Sequence, residues 1–251
     1  MGKIIIDTME TTLDPISLIG KKAGSCWGAD VYDYQKNFKR GIDCILSGHG
    51  RALEYPNIVF TVEGYSARVV RELYTHIGGS PTRLQASTRY IDYTEFDYVT
   101  PPKIKNFDLS KVSNHTCESP QEVYDGVMEH ICQALKVLDE YGIPREDSAM
   151  ILPFGMTTKV EFKTNLRELV QICNQRLCAR AYWEFRELIL DLGKALVDYG
   201  KNYWNGDCPS DVNEWNLVVK NLFVPKCIKD GVCYEKYSCG RAPKAERKEF
   251  N

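Results

Sequence analysis

Apolar residues fall at helical spacing in five stretches, and shorter β-branched runs lie among them. Asp14-Pro15 pairs an N-cap residue with a proline at the first helical position and predicts a helix running toward Gly24. Tyr34 to Leu46 reads as a second helix, stopped at Ser47-Gly-His-Gly50. Asn57-Ile-Val-Phe-Thr-Val62 predicts a strand, and Tyr65 to Tyr74 a helix with Val69, Val70 and Leu73 on its apolar face. Gly78-Gly79-Ser80-Pro81 stops that helix, after which Arg89-Tyr-Ile-Asp-Tyr93 reads as extended. Pro101-Pro102 closes the first half, and Asn106 to Ser119 reads as a polar loop.

Ser119-Pro-Gln-Glu122 is a capping box that opens a long helix with Val123, Val127, Ile131, Leu135 and Leu138 toward the core, ended by Gly142-Ile-Pro144. Met150-Ile-Leu-Pro153 and Val160-Glu-Phe162 read as short strands. Asn165 with Glu168 forms a second capping-box pattern, opening a helix as far as about Gly200 with Gly193 as its weak point. Helices and strands do not alternate as βαβα, so the predicted class is α+β, a mixed, largely antiparallel sheet packed with long helices.

Two polar stretches break this apolar pattern. Ser-Pro-Thr-Arg-Leu-Gln-Ala-Ser-Thr-Arg-Tyr, residues 80–90, gathers Arg83, Gln85, Ser87, Thr88 and Arg89. Two guanidiniums, a carboxamide and two hydroxyls suit a phosphorylated ligand with an amide-like ring, and they equally suit a solvated loop. On the helix after Asn165, Arg167, Gln171 and Gln175 share a face, with Glu168, Ile172 and Arg176 in the adjacent row. Such a face could hold a phosphate bidentately and read a ring edge, or be an ordinary solvated face. Arg176, Arg180 and Arg186 with Glu184 and Glu187 could also form surface ion pairs.

Charge narrows the partners. With 32 basic and 34 acidic residues the chain has a formal net charge of −2 and no polyanion-binding signature, so nucleic acid is not expected. The start Met-Gly-Lys-Ile-Ile-Ile lacks the long apolar core of a signal peptide and no run approaches a membrane span, so a cytoplasmic protein is expected. Fifteen tyrosines and four tryptophans fit flat-ring contacts or a subunit interface. The four histidines, His49, His76, His115 and His130, have no zinc-protease spacing. There is no Cys-x-x-Cys, no dinucleotide glycine fingerprint, no phosphate loop and no hydrolase elbow. Of ten cysteines, Cys26, Cys44, Cys117, Cys132, Cys173 and Cys178 read as small hydrophobes. Cys208, Cys227, Cys233 and Cys239 crowd the end of the chain. They could close a structural zinc site or be free thiols. Their spacing is wider than a short knuckle, so no metal is assigned.

Four blocks give the chain a resemblance to the flavin-dependent thymidylate synthases. They are Ser47-Gly-His-Gly-Arg-Ala-Leu-Glu-Tyr55, Arg71-Glu-Leu-Tyr-Thr-His76 running on to Leu84-Gln-Ala-Ser-Thr-Arg-Tyr90, Ile151-Leu-Pro153, and Asn165-Leu-Arg167 running on to Arg176 and Ala181-Tyr-Trp-Glu-Phe-Arg186. They stand in family order and span residues from about 13 to 200. The resemblance implies a catalytic domain over residues 1–205, with a cysteine-containing extension at 206–251. It implies methylation of dUMP to dTMP, with FAD as flavin, methylenetetrahydrofolate as one-carbon donor and NADPH as reductant. It further implies a homotetramer with shared active sites.

The implied catalytic positions are Arg176, on the uracil edge, and Ser87, which has no base beside it and is not expected to be a nucleophile. Substrate binding falls to Arg83, Gln85, Ser87, Arg89 and Arg176. Cofactor binding falls to Tyr55, Arg71, His76, Asn165, Arg167 and Gln171. The chain departs from the family on the flavin side. The Arg-His-Arg triplet reads Thr75-His76-Ile77, Tyr55 stands for a histidine, Ala86 and Ala149 stand for glutamate and arginine, and Arg180 for a histidine. Two other outcomes therefore stay open: hydroxymethylation or methylation of another pyrimidine nucleotide such as dCMP, and a noncatalytic nucleotide-binding homologue.

Overall fold

The computed structural model describes residues 2–79, 81–111, 118–202 and 212–246. Ser80, His115, Cys117 and Cys208 lie outside the described residues. The class is α+β, as expected. The strands are β1 (Lys3–Ile6), β2 (Asn57–Ser66), β3 (Thr82–Gln85) and β4 (Thr157–Asn165), paired in the order β1-β2-β4-β3. The helices are α1 (Pro15–Cys26), α2 (Tyr34–Leu46), α3 (Ala67–Leu73), α4 (Pro102–Lys105), α5 (Pro120–Glu140), α6 (Arg145–Ser148), α7 (Leu166–Arg176), α8 (Trp183–Asn202), α9 (Glu214–Leu222) and α10 (Lys226–Lys229). The chain divides into two compact units, the first made of residues 1–3, 62–72 and 84–160, the second of 4–61, 73–83 and 161–251.

The first unit gathers its core on α5. Met128 and Leu135 pack with Phe96 and Met156, ringed by Tyr93, Tyr98, Tyr124, Ile131, Cys132 and Leu152. The capping box forms as read: Ser119 accepts from the Glu122 N–H, and the Glu122 carboxylate accepts from the Ser119 N–H. The face is rotated from the expected one, because Val123 and Val127 are exposed while Met128 is buried. The aromatic cluster of Tyr98 and Tyr124 draws the helix onto Met128 rather than onto the valine row. Two other expectations fail here. The 150–153 stretch contains no strand, because a 3-10 turn covers Ala149–Ile151. Residues 89–93 turn rather than extend, since the Ser87 carbonyl accepts from the Tyr90 and Ile91 N–H groups; the strand lies earlier, at Thr82–Gln85.

The second unit is built from α1, α2 and α7 to α9. Phe60 and Phe162 stack at 5.4 Å between ring centroids, and Leu166, Leu169, Ile172, Phe185, Leu188, Leu192 and Leu196 are buried. α1 and α2 approach so closely at Gly20 and Gly41 that a Cβ there would stand 1.8 Å from the Asn37 carbonyl oxygen and 2.0 Å from that of Ile16. Only glycine permits that backbone spacing.

Asp14 makes no capping bond to α1. The buried carboxylate of Glu214, from the start of α9, accepts instead from the N–H groups of Ile16 (2.6 Å) and Ser17 (3.0 Å) and from the hydroxyls of Ser17 and Tyr34. The neighbouring Trp215 is fully buried and donates to the Thr12 carbonyl. The single long helix expected after Asn165 is two, α7 and α8. The break falls at Leu177–Tyr182, whereas Gly193 stays inside α8.

Candidate functional site

In the second unit the site is built at the C-terminal end of α7. Asn165 leaves β4 as the N-cap of α7, its side chain accepting from the Glu168 N–H at 2.9 Å. Leu166, Leu169, Val170, Ile172 and Cys173 are buried and fix the helix, which leaves Arg167, Gln171 and Gln175 on the exposed face. Glu168 does not complete a capping box. Its carboxyl is buried, takes the Gly78 N–H, and is pushed above the usual glutamate range by that burial. A Cβ on Gly78 would stand 2.1 Å from Glu168 Oε2, so a side chain there would have to displace the buried Glu168 carboxyl.

Arg176, the last residue of α7, donates from Nε to Nε2 of His76 at 3.0 Å. Its guanidinium carbon lies 4.7 Å from the centre of the Phe185 ring, and His76 meets the same ring edge-on at 5.8 Å. Because Nε2 accepts, the hydrogen-bond pattern assigns the imidazole proton to Nδ1. Burial, and then the Arg176 charge, push the histidine pKa down to about 4. His76 is thus a neutral acceptor at physiological pH, clamping a permanent cation. Phe185 was not singled out in the sequence, although it lies within the Ala181–Arg186 block. Arg180 lies over the Tyr237 ring.

A second group in the same unit surrounds the turn at residues 48–55. Tyr55 is half exposed, with Lys22 Nζ 5.1 Å from its ring centre. Arg167 donates to Glu54 at 2.5 Å and lies against Gly50, and Arg51 pairs loosely with the same glutamate at 3.8 Å. Arg83 is drawn away from solvent, donating to the Tyr74 carbonyl at 2.9 Å and covering the Tyr74 ring at 4.6 Å.

The remaining candidates belong to the first unit. Gln85 reaches the Thr158 hydroxyl at 3.4 Å, and Ser87 Oγ accepts from the Arg89 N–H at 3.2 Å. Arg89 is exposed, paired with Glu146 at 3.0 Å and close to its neighbour Tyr90. Arg145, which no sequence pattern flagged, holds this turn by donating to the Tyr90 carbonyl and to Asp92. Arg71 lies over the Phe154 ring. The cavity beside Thr88 and Arg145 is about 20 Å³, room for a water and not for a nucleotide.

Residues 9–198 match the family described as thymidylate synthase complementing protein. The chain belongs to that family. Among its curated relatives are the flavin-dependent thymidylate synthase of Clostridium tetani, 25% identical over 96% of this chain and 95% of that one, and that of Pyrococcus abyssi, 30% identical over 75% and 69%. The fold resembles that of Helicobacter pylori thymidylate synthase X, a structure with FAD and dUMP, at a TM-score of 0.59 and 18% identity, covering 84% of this chain and all of that one. It also resembles the UMP/dUMP methylase PolB of Streptomyces cacaoi, bound with 5-Br dUMP, at a TM-score of 0.61 and 19% identity, covering 79% and 91%.

Membership in the thymidylate synthase complementing family implies a flavin, and the surface around Tyr55 suits one. It offers an exposed aromatic plate with Lys22, Arg51 and Arg167 at hand, a donor set fitted to a flat ring carrying a diphosphate. The segment Thr75-His76-Ile77 is different in kind. Ile77 is 71% exposed and His76 is buried, so the flanking positions present an apolar side chain and a hydroxyl in place of charge.

Proposed function

We propose that the protein is an FAD-dependent enzyme that methylates dUMP to dTMP, using methylenetetrahydrofolate as one-carbon donor and NADPH as reductant. The observation that carries this reading is the clamped Arg176, set on a chain whose residues 9–198 match the family throughout. FAD, when bound, supplies the reducing equivalents, held by Tyr55, Arg71, Asn165, Arg167 and Gln171. Arg176 takes the pyrimidine edge and stabilises the charge that develops there as C5 forms its new bond. His76 is assigned the positioning of Arg176, because a neutral imbedded acceptor fixes the guanidinium plane without competing for its charge. Ser87, Gln85, Arg83 and Arg89 take the phosphate and ring on the substrate side. Ser87 serves as a hydrogen-bonding hydroxyl, since its Oγ already engages the Arg89 backbone and no base stands beside it among its hydrogen-bond partners.

Residues 1–205 form the proposed catalytic domain and 206–251 its extension, in a homotetramer with shared sites. The exposed apolar residues Val123, Val127 and Val137 along α5 support self-association. The test is turnover of dUMP by the full-length chain with FAD, NADPH and methylenetetrahydrofolate, the product read by mass spectrometry. A gain of one methyl group is expected. A hydroxymethyl product, or preference for dCMP, would shift the reading to the other pyrimidine chemistry that the altered 75–77 segment suggests. Binding of dUMP with no product under all these conditions would overturn the enzyme reading.

A further inference from the structure

The strongest feature the proposed reaction does not use is a cluster of thiols at the end of the second unit. Cys178, in the break between α7 and α8, lines one cavity of about 330 Å³ together with Cys227 of α10, Cys233 and Cys239. Cys227 and Cys233 are buried, and none of the four is in a disulfide. All four face the same cavity. Four thiolates so placed repel one another unless a cation lies between them.

The Arg180 N–H donates to Cys178 Sγ at 3.5 Å, and the side chains of Arg180 and Lys226 line the same cavity. Four thiolates around a divalent ion leave two negative charges, which Arg180 and Lys226 offset in part, with Glu235 lining the same cavity. The 226–246 segment also needs a staple. Beyond the single turn of α10 it has no helix, it buries only Cys227 and Cys233, and its bridge from Cys233 to Lys244 is isolated. So short a segment with almost no apolar core is ordinarily held by a metal or by disulfides.

We infer that Cys178, Cys227, Cys233 and Cys239 bind one structural zinc ion, tethering the C-terminal segment to the end of α7. The ligand set differs from the one the sequence suggests, since Cys178 joins from more than forty residues upstream and Cys208 is not needed. Among the described residues no group of three or more potential ligands already stands at coordinating geometry, so the thiols must draw in to Zn–S distances of about 2.3 Å. An ion with no preferred d-electron geometry and an affinity for thiolate suits a closed four-sulfur cage with no open position.

The test uses the full-length chain, reduced, stripped with a chelator and titrated with cobalt(II) as a spectroscopic substitute. The expected result is saturation at one ion per chain, with the intense visible bands of tetrahedral cobalt and a sulfur-to-metal charge-transfer band, both abolished by added zinc. Cys178→Ser and Cys239→Ser should lose that spectrum, while Cys26→Ser and Cys208→Ser should keep it. Absence of saturable uptake, a weak octahedral spectrum, or loss on Cys208→Ser but not on Cys178→Ser would overturn the inference. So would disulfides among these cysteines in the purified protein whose reduction restores no metal uptake. If a variant fails to fold, the wild-type titration alone decides. None of these readouts depends on turnover of dUMP.

Discussion

The two arginines expected on substrate are held in opposite ways. Arg176 is clamped by a buried neutral histidine and an aromatic ring, on a helix whose other face is fully packed. Arg89 sits on a turn at the surface, paired with an equally exposed glutamate. An exposed pair of that kind is worth about 0–1 kcal/mol and exchanges easily for another anion. The first arrangement is preorganised and the second is adjustable. The difference suits a site that must fix a ring rigidly for chemistry but only needs to capture a phosphate.

The comparison breaks most visibly through pH. The folded-state pKa of His76, about 4, lies below the usual 6.5, so the unfolded chain binds the extra proton first. Stability is therefore complete above about pH 6.5 and falls as pH drops toward 4, by about 3 kcal/mol in all. Replacing the titrating acceptor, His76→Gln, should flatten that acid limb in urea denaturation at several pH values. An unchanged slope would mean that His76 is not buried as a neutral acceptor.

Glu214 gives the opposite sign. Burial raises its carboxyl above the ordinary range, against the bonds from Ser17 and Tyr34 that favour the anion. Its protonated form is thus favoured by folding, and its contribution declines as pH rises through the raised value. Removing the cap in Glu214→Ala should destabilise the protein by about 2 kcal/mol, whereas Asp14→Ala should do little. Equal effects from the two would show that Asp14 shares the cap.

The smallest effect belongs to Arg89. Arg89→Ala should change stability by less than about 1 kcal/mol while weakening dUMP binding measured by calorimetry. Unaltered dUMP affinity would remove the turn at residues 87–91 from the substrate side.

Much of this was legible in the chain because local rules govern it. The Ser119 capping box, the Tyr34–Leu46 helix and the Asn165 cap follow from residues within one turn of each other. What escaped the sequence is long-range. Glu214 caps a helix 198 residues away, Arg145 pins the Tyr90 turn from 55 residues away, and Cys178 joins the C-terminal thiols. The valine row of α5 misled for a related reason: the periodicity marks an apolar face, but the neighbouring aromatics decide which face is buried. At the candidate site, Arg176 and His76 were both identifiable as polar residues in family blocks. Their direct bond, and the part of Phe185 in it, required the fold.

The central claim is that the clamped Arg176 is the group on which pyrimidine chemistry depends. The direct measurement is dUMP titration with steady-state turnover for Arg176→Ala beside Arg180→Ala, each checked for folding by far-ultraviolet circular dichroism. Loss of a charge-assisted hydrogen bond worth about 1.5–3 kcal/mol should cut turnover in Arg176→Ala by roughly 10- to 150-fold. Arg180→Ala, which loses an exposed stacking contact and a cation beside the thiol cavity but nothing at the Arg176 clamp, should keep turnover near wild type. Near-wild-type binding and turnover in a folded Arg176→Ala protein would contradict the account.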